Sequence, residues 1–273
     1  MDFKANMDSK AHMDSKAPID SDDGDLGNNS SRQTEGRTPQ PTGRRRASVT
    51  PEELAVSPDE AFEMLYADHP LTVSRQASRA ERRDKQYVAL SFVYGEIAFA
   101  PFRSVLDKLK RWHHILPKPG GVFLDIGSGS GKAVFAAALL HDFDACFGIE
   151  VLEQLVGIST AVLHKWEKQL RPSLSMQKRR TRITFTLGDA ATCEWPAQAA
   201  AADLVFINST CFGERLRRDL ATRLAVVLKP GAVVITATHA LPTSVSSSFE
   251  MLRQLIVPQE AWGNATWFMH RKK

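Results

Sequence analysis

Cysteine is scarce: Cys146, Cys193 and Cys211 are the only three in 273 residues, with no CxxC pair and no histidine cluster at ligand spacing. That excludes a disulfide scaffold and a cysteine-based metal site, so no metal is expected, and it reads as reduced thiols in an intracellular protein. No run of ~18 apolar residues exists, so no transmembrane helix and no membrane partner are expected. The N-terminus is acidic and polar where a secretory leader needs an apolar stretch. Apolar residues are also rare in one place. Only eleven of the first fifty are apolar, and Phe3 is the sole aromatic among them. Such a segment cannot bury enough surface to offset its ordering entropy, so residues 1–49 are expected to be a disordered, low-complexity tail. Within it Met1-Asp2-Phe3-Lys4-Ala5 recurs as Met7-Asp8-Ser9-Lys10-Ala11 and Met13-Asp14-Ser15-Lys16-Ala17, a period far too short for a solenoid unit.

The charge that is present sits mostly beyond the tail. The first fifty residues hold eight Lys/Arg and eight Asp/Glu, so the formal +4 belongs to the remainder. This mild basic bias suits an anionic partner without requiring one. Two clusters are candidates for nucleic-acid backbone contact: Arg44, Arg45 and Arg46 ahead of Ser48, and Lys178, Arg179 and Arg180. The first also suits a basic-directed kinase acting on Ser48, or nuclear import.

From residue 50 the texture becomes globular. Thr50-Pro51-Glu52-Glu53 has the cap, early proline and acids of a helix start, and further helices are expected over residues 76–93 and 100–113. Residues 50–116 therefore read as a helical N-terminal segment. After that, apolar runs at 121–126, 145–150, 182–187, 202–208 and 231–237 alternate with helical stretches. Near-continuous apolar strands between helices imply an α/β fold whose mostly parallel sheet is covered on both faces. The stretches at about 248–256 and 264–271 are too close for a βαβ crossover and read as an antiparallel pair at the sheet's end. Residues 117–273 thus form the expected ligand-binding domain.

The first strand runs into Asp125-Ile126-Gly127-Ser128-Gly129-Ser130-Gly131-Lys132, which opens a helix. Glycines there let a backbone approach a ligand closely and bring helix N–H groups to it. The nicotinamide fingerprint GxGxxG would need glycine at 132, where Lys132 stands. Asp125 would repel a diphosphate and attract an ammonium group. Glu150 ends the second strand, placed to accept ribose hydroxyls, and Gly188-Asp189 ends the third, where Asp189 is placed to accept from an adenine amino group. Acids at three successive strand ends beside a glycine loop point to S-adenosyl-L-methionine, with Asp125, Gly127, Ser128, Gly129, Gly131, Glu150 and Asp189 forming its site.

This set resembles a class I methyltransferase, whose sheet has seven strands. Tyr94-Gly95-Glu96-Ile97 and Val205-Phe206-Ile207-Asn208-Ser209-Thr210-Cys211-Phe212-Gly213 further resemble two motifs of the disruptor-of-telomeric-silencing family of histone lysine methyltransferases, over roughly residues 85–271. The resemblance implies that Tyr94 and Glu96 close over the methionine end of the cofactor. It implies that Asn208 stands beside the methyl-transfer channel, with Tyr94, Asn208 and Phe212 as the catalytic set. Phe212, Trp262 and Trp267 would line the substrate channel. A nucleosomal histone lysine is the implied substrate and the nucleus the implied location. The chain departs from the family's patterns at Ile97, Lys132 and Ser209, where threonine, glutamine and asparagine are usual. Two readings stay open beside this one: a class I methyltransferase acting on another protein, an RNA or a small molecule, and a cofactor-fold binding module that transfers nothing.

Overall fold

The computed structural model describes residues 56–87, 94–259 and 263–273. The expected tail, Arg44–46, Ser48 and the helix start at Thr50-Pro51 lie outside these residues.

The first described helix, α1 (Pro58–Tyr66), starts at Ser57, whose side chain accepts from Glu60 N while Glu60 returns a carboxylate to Ser57 N. This capping box, with Pro58 in the first turn, is readable in Ser57-Pro58-Asp59-Glu60. Helix α2 (Leu71–Asp84) starts and stops earlier than the expectation of 76–93, of which residues 88–93 lie outside the described ones. It begins after Pro70 and stops where Gln86 takes φ 53°, a conformation no helix continues through. Helix α3 (Phe99–His113) buries Phe99, Phe102, Val105, Leu106 and Leu109 along one stripe and ends at His114 with φ 51°.

Strands and helices then alternate as the apolar runs predict: β1 (Val122–Ile126), α4 (Lys132–Leu140), β2 (Ala145–Glu150), α5 (Glu153–Lys165), α6 (Met176–Arg180), β3 (Arg182–Leu187), α7 (Ala197–Ala200), β4 (Leu204–Ile207), α8 (Glu214–Val227), β5 (Val233–Ala237), β6 (Phe249–Gln259) and β7 (Gly263–Lys272). A π-helical turn, Trp166–Leu170, extends α5. The seven strands make one sheet in the order β3-β2-β1-β4-β5-β7-β6, parallel except for β7, which runs antiparallel to both β5 and β6. This is the class I methyltransferase arrangement.

Side-chain alternation sends successive strand residues to opposite faces. Phe123, Phe206, Ile235 and Trp267 join one apolar cluster with Phe62, Phe102 and Phe135 from α1, α3 and α4. Leu124, Val205 and Val234 join another with Leu220 and Leu224 of α8. The N-terminal helices therefore share a core with the sheet. Among the described residues no helix is long and apolar enough to cross a membrane.

Candidate functional site

A pocket of about 860 Å³ opens at the carboxyl ends of the parallel strands. Ligands bind there in open α/β sheets because helix N-termini and strand-end side chains converge where the strand order reverses. Among its walls are Tyr94, Gly127, Glu150, Asp189, Asn208 and Phe212, six expected site residues from five separate segments of the chain.

The glycine loop needs its glycines. Gly127, Gly129 and Gly131 have φ of 76°, 54° and 86°, and an added Cβ would come within 2.9 Å of Phe212, 2.3 Å of Tyr94 and 2.7 Å of Phe185. Three aromatic rings thus press on the loop from different elements. Gly127 N and Ser128 N donate to Ile149 O at 2.8 and 3.0 Å, which pins the loop to the end of β2. Of the four loop residues expected at the site, Gly127 alone lines the pocket; Ser128, Gly129 and Gly131 stand behind its wall, Gly129 beneath the ring of Tyr94.

The acids differ in their surroundings. Glu150 accepts from Gly129 N at 2.8 Å on Oε2 and from Val151 N and Leu152 N, both at 2.9 Å, on Oε1. Burial raises its pKa against the lowering effect of those three donors. Asp125, 3% exposed, lies behind the pocket wall, and its Oδ1 has no hydrogen-bond partner among the described residues. Burial, reinforced by the nearby Glu150, holds its pKa well above the ordinary carboxylate range. Asp189 is exposed, lines the pocket and accepts from Ala191 N at 2.9 Å, so its carboxylate caps the turn after β3.

Glu96 does not line the pocket. It is buried behind Tyr94, whose Oη donates to its Oε1 at 2.6 Å. Ser130 Oγ stands 3.2 Å from that same oxygen, and Lys132 Nζ lies 2.5 Å from Oε2. Tyr66 Oη donates to Ser130 O at 3.0 Å and presents its ring to Lys132. Glu96 therefore fastens the 94–97 segment to the glycine loop, a task its motif alone does not reveal.

At the tip of β4, Asn208 donates from Nδ2 to Gly95 O at 3.3 Å and accepts on Oδ1 from Thr210 Oγ1 at 2.9 Å. Phe212 lies over Gly127. Cys211 lines the pocket with its thiol pKa raised by burial, which works against the thiolate that a nucleophile needs. The expectation for Trp267 is corrected. Its ring, 1% exposed, packs on Phe206 at 5.0 Å and on Phe102 at 6.4 Å, deep in the core, because strand alternation turns it to the α3 face. Trp262 lies outside the described residues.

The basic cluster at 178–180 sits on α6, which leads into the amino end of β3, at the opposite end of the sheet from the pocket. Lys178 is paired with Asp142 at 3.0 Å and Arg179 donates to Leu174 O at 2.8 Å, so both are partly committed to local structure. Among the described residues no group of three or more His, Cys, Asp or Glu is placed to hold a metal ion.

One support was not foreseen from the sequence. Helix α5 lacks a cap of its own, and the buried Glu81 of α2 accepts from Glu153 N and Gln154 N at 2.9 and 2.8 Å, holding α2 beside the tip of β2.

Residues 74–256, more than half of the chain, match the family described as "Histone methylation protein DOT1". The "Histone-lysine N-methyltransferase, H3 lysine-79 specific" of Eremothecium gossypii is 25% identical over 181 residues, covering 63% of this chain and 29% of that protein. The protein of the same description from Dictyostelium discoideum is 29% identical over 161 residues, covering 58% of this chain and 8% of its own length. The chain thus spans less than a third of either relative. A solved structure of MtNAS in complex with MTA and tNA aligns at a TM-score of 0.48 and 10% identity, over 78% of this chain and 74% of that one.

Proposed function

The chain belongs to the DOT1 family of histone methylation proteins, and from that premise we propose that it is an S-adenosyl-L-methionine-dependent protein-lysine N-methyltransferase acting on a core histone lysine in the nucleosome. The observation that carries the proposal is the convergence of Tyr94, Gly127, Glu150, Asp189, Asn208 and Phe212 on one pocket at the strand ends.

The residues present suit the cofactor. Asp125, behind the pocket wall beside Gly127, keeps a buried carboxyl oxygen without a partner, an acceptor that an ammonium group reaching past Gly127 would satisfy and that its charge would help to ionise. Glu150 Oε2 takes one backbone donor and keeps capacity for a ribose hydroxyl. Asp189, exposed at the pocket wall, is the acceptor for an adenine amino group, and Asn208 with Tyr94 faces the methionine end. When bound, the cofactor supplies an electrophilic methyl group on a sulfonium.

The chain's own part is to hold an acceptor amine in line and to strip it of water. A free lysine has pKa ~10.4, so roughly one in a thousand is neutral near pH 7.4. The apolar surface of Phe212 and the un-ionised Cys211 disfavour an ammonium beside them, which lowers that pKa as the side chain enters. No charged base is then required, and the proton leaves to solvent before the amine reaches the methyl. Asn208 is a neutral amide, so it orients groups without restoring the polarity that would stabilise the ammonium. The basic clusters at 44–46 and 178–180 are assigned to nucleic-acid backbone contact and the protein to the nucleus on the same reading.

Transfer of labelled methyl groups to reconstituted nucleosomes, with free histones and RNA alongside, tests it. Label on nucleosomal histone that disappears with Glu150→Ala supports the proposal. Label only on RNA or on a non-histone protein replaces the substrate, and no label on any acceptor overturns the enzymatic reading.

A further inference from the structure

The end of β5 bends in a way its sequence resists. Thr238 has φ 71°, and a β-branched residue in that region is an outlier. His239 N donates to Ala237 O at 2.9 Å, closing an i to i+2 turn with Thr238 at its centre, the strained form of the γ-turn. The neighbouring strand holds the turn in place: Thr238 N donates to Thr266 O at 2.7 Å. A second anchor comes from Ser209, whose buried hydroxyl donates to Ala237 O at 2.6 Å. Ser209 is the position where this chain departs from the family's paired asparagines.

Strain of this kind persists where surrounding contacts over-determine it, and here it delivers one hydroxyl. Thr238 Oγ1 lies 2.8 Å from Thr210 Oγ1, and both threonines line the pocket. A hydroxyl has one proton to give. Thr210 gives its proton to Asn208 Oδ1, so Thr238 is the donor in the Thr238–Thr210 contact. The chain of donation runs Thr238 to Thr210 to Asn208, and Asn208 passes one of its own N–H groups on to Gly95 O.

An asparagine amide is nearly symmetric in shape, and only its hydrogen bonds decide which end is oxygen. A donor on one side and a carbonyl on the other fix that choice for Asn208. We infer that Thr210 and Thr238 are positioning residues that orient the Asn208 amide toward the bound cofactor through this one-way hydroxyl relay. The inference rests on the proposed reading of Asn208 as a residue that touches the cofactor.

The test uses the full chain and S-adenosylhomocysteine as the binding probe, read by calorimetry, with kcat and melting temperature measured in parallel. Thr210→Val keeps the shape and deletes the relay; it is expected to weaken binding of the probe about tenfold, the effect of one lost hydrogen bond in a pocket. Thr210→Ser restores the hydroxyl and the affinity. Thr238→Gly is expected to raise the melting temperature, since it relieves the left-handed threonine, while lowering affinity by a similar factor. Because the two residues act in series, Thr210→Val combined with Thr238→Gly is no weaker than Thr210→Val alone. Unchanged binding in Thr210→Val, or losses that simply add, would overturn the relay. Asn208→Ala separates the two levels. If it weakens the probe while Thr210→Val does not, the relay alone falls. If Asn208→Ala leaves binding untouched, the cofactor role of Asn208 falls and the relay goes with it.

Discussion

Lys132 Nζ stands 2.5 Å from Glu96 Oε2, with the two side chains 14% and 3% exposed, so an ion pair removed from water joins the first turn of α4 to the segment that carries Tyr94. Family patterns place glutamine where this chain has Lys132, and here the substitution has a local partner that accounts for its charge. The pair is one of several contacts by which the 94–97 segment is held on the glycine loop.

Removing one member of such a pair leaves the other charge buried and unpaired. Lys132→Met is expected to destabilise the fold by about 3 kcal/mol in chemical denaturation. Lys132→Gln combined with Glu96→Gln removes both charges and is expected to recover most of that loss. If the double variant is as unstable as Lys132→Met, the pair is not the reason for the destabilisation.

Glu150 is the acceptor for three backbone N–H groups that converge at the end of β2. Glu150→Ala strands those donors and removes the ribose partner. Binding of S-adenosylhomocysteine should fall by more than about tenfold, with a lower melting temperature, since each orphaned donor costs on the order of 1 kcal/mol. Retained affinity in a folded Glu150→Ala would contradict the placement of the ribose at this carboxylate.

Trp267 separates a core role from a channel role. Trp267→Ala is expected to cost about 3–5 kcal/mol through the cavity it leaves among Phe102, Phe206 and α3, whereas Trp267→Phe should cost much less. In the folded Trp267→Phe protein, KM for the methyl acceptor should equal that of the unaltered chain. A raised KM with unchanged stability would return the ring to the substrate path.

His270 on β7 is 4% exposed, and burial pushes its pKa down to about 4. Its pKa when folded lies below the unfolded value of ~6.5, so between those limits the unfolded chain binds more protons. Stability contributed by the neutral ring is whole above about pH 6.5 and is lost as pH falls toward 4, by on the order of 3 kcal/mol. Denaturation midpoints measured from pH 7.5 to 4.5 should fall more steeply for the unaltered chain than for His270→Leu. Parallel profiles would show that His270 is not the titrating group.

The sheet was legible because a strand covered on both faces must be apolar nearly throughout, and β2, buried at every position, follows its run residue for residue. The boundaries of α2 were less so. Its charged sequence, rich in arginine, has little apolar stripe to read, and what it buries is Ser74, Ser78 and Glu81. The Ser57 capping box was present in the sequence yet overshadowed by the similar Thr50-Pro51 pattern seven residues earlier.

By itself the sequence determined the strands, the glycine loop and which acids end which strands, since these depend on neighbours a few residues apart. Tertiary structure alone decided what those groups face. Glu81 caps a helix start more than seventy residues away, Trp267 turns into the core, and Thr238 adopts a left-handed backbone anchored by Thr266 O and, through Ala237 O, by Ser209. The physical reason is common to all three. A buried polar or aromatic side chain takes the partner that folding brings within reach, and that partner lies too far along the chain for any local pattern to name it.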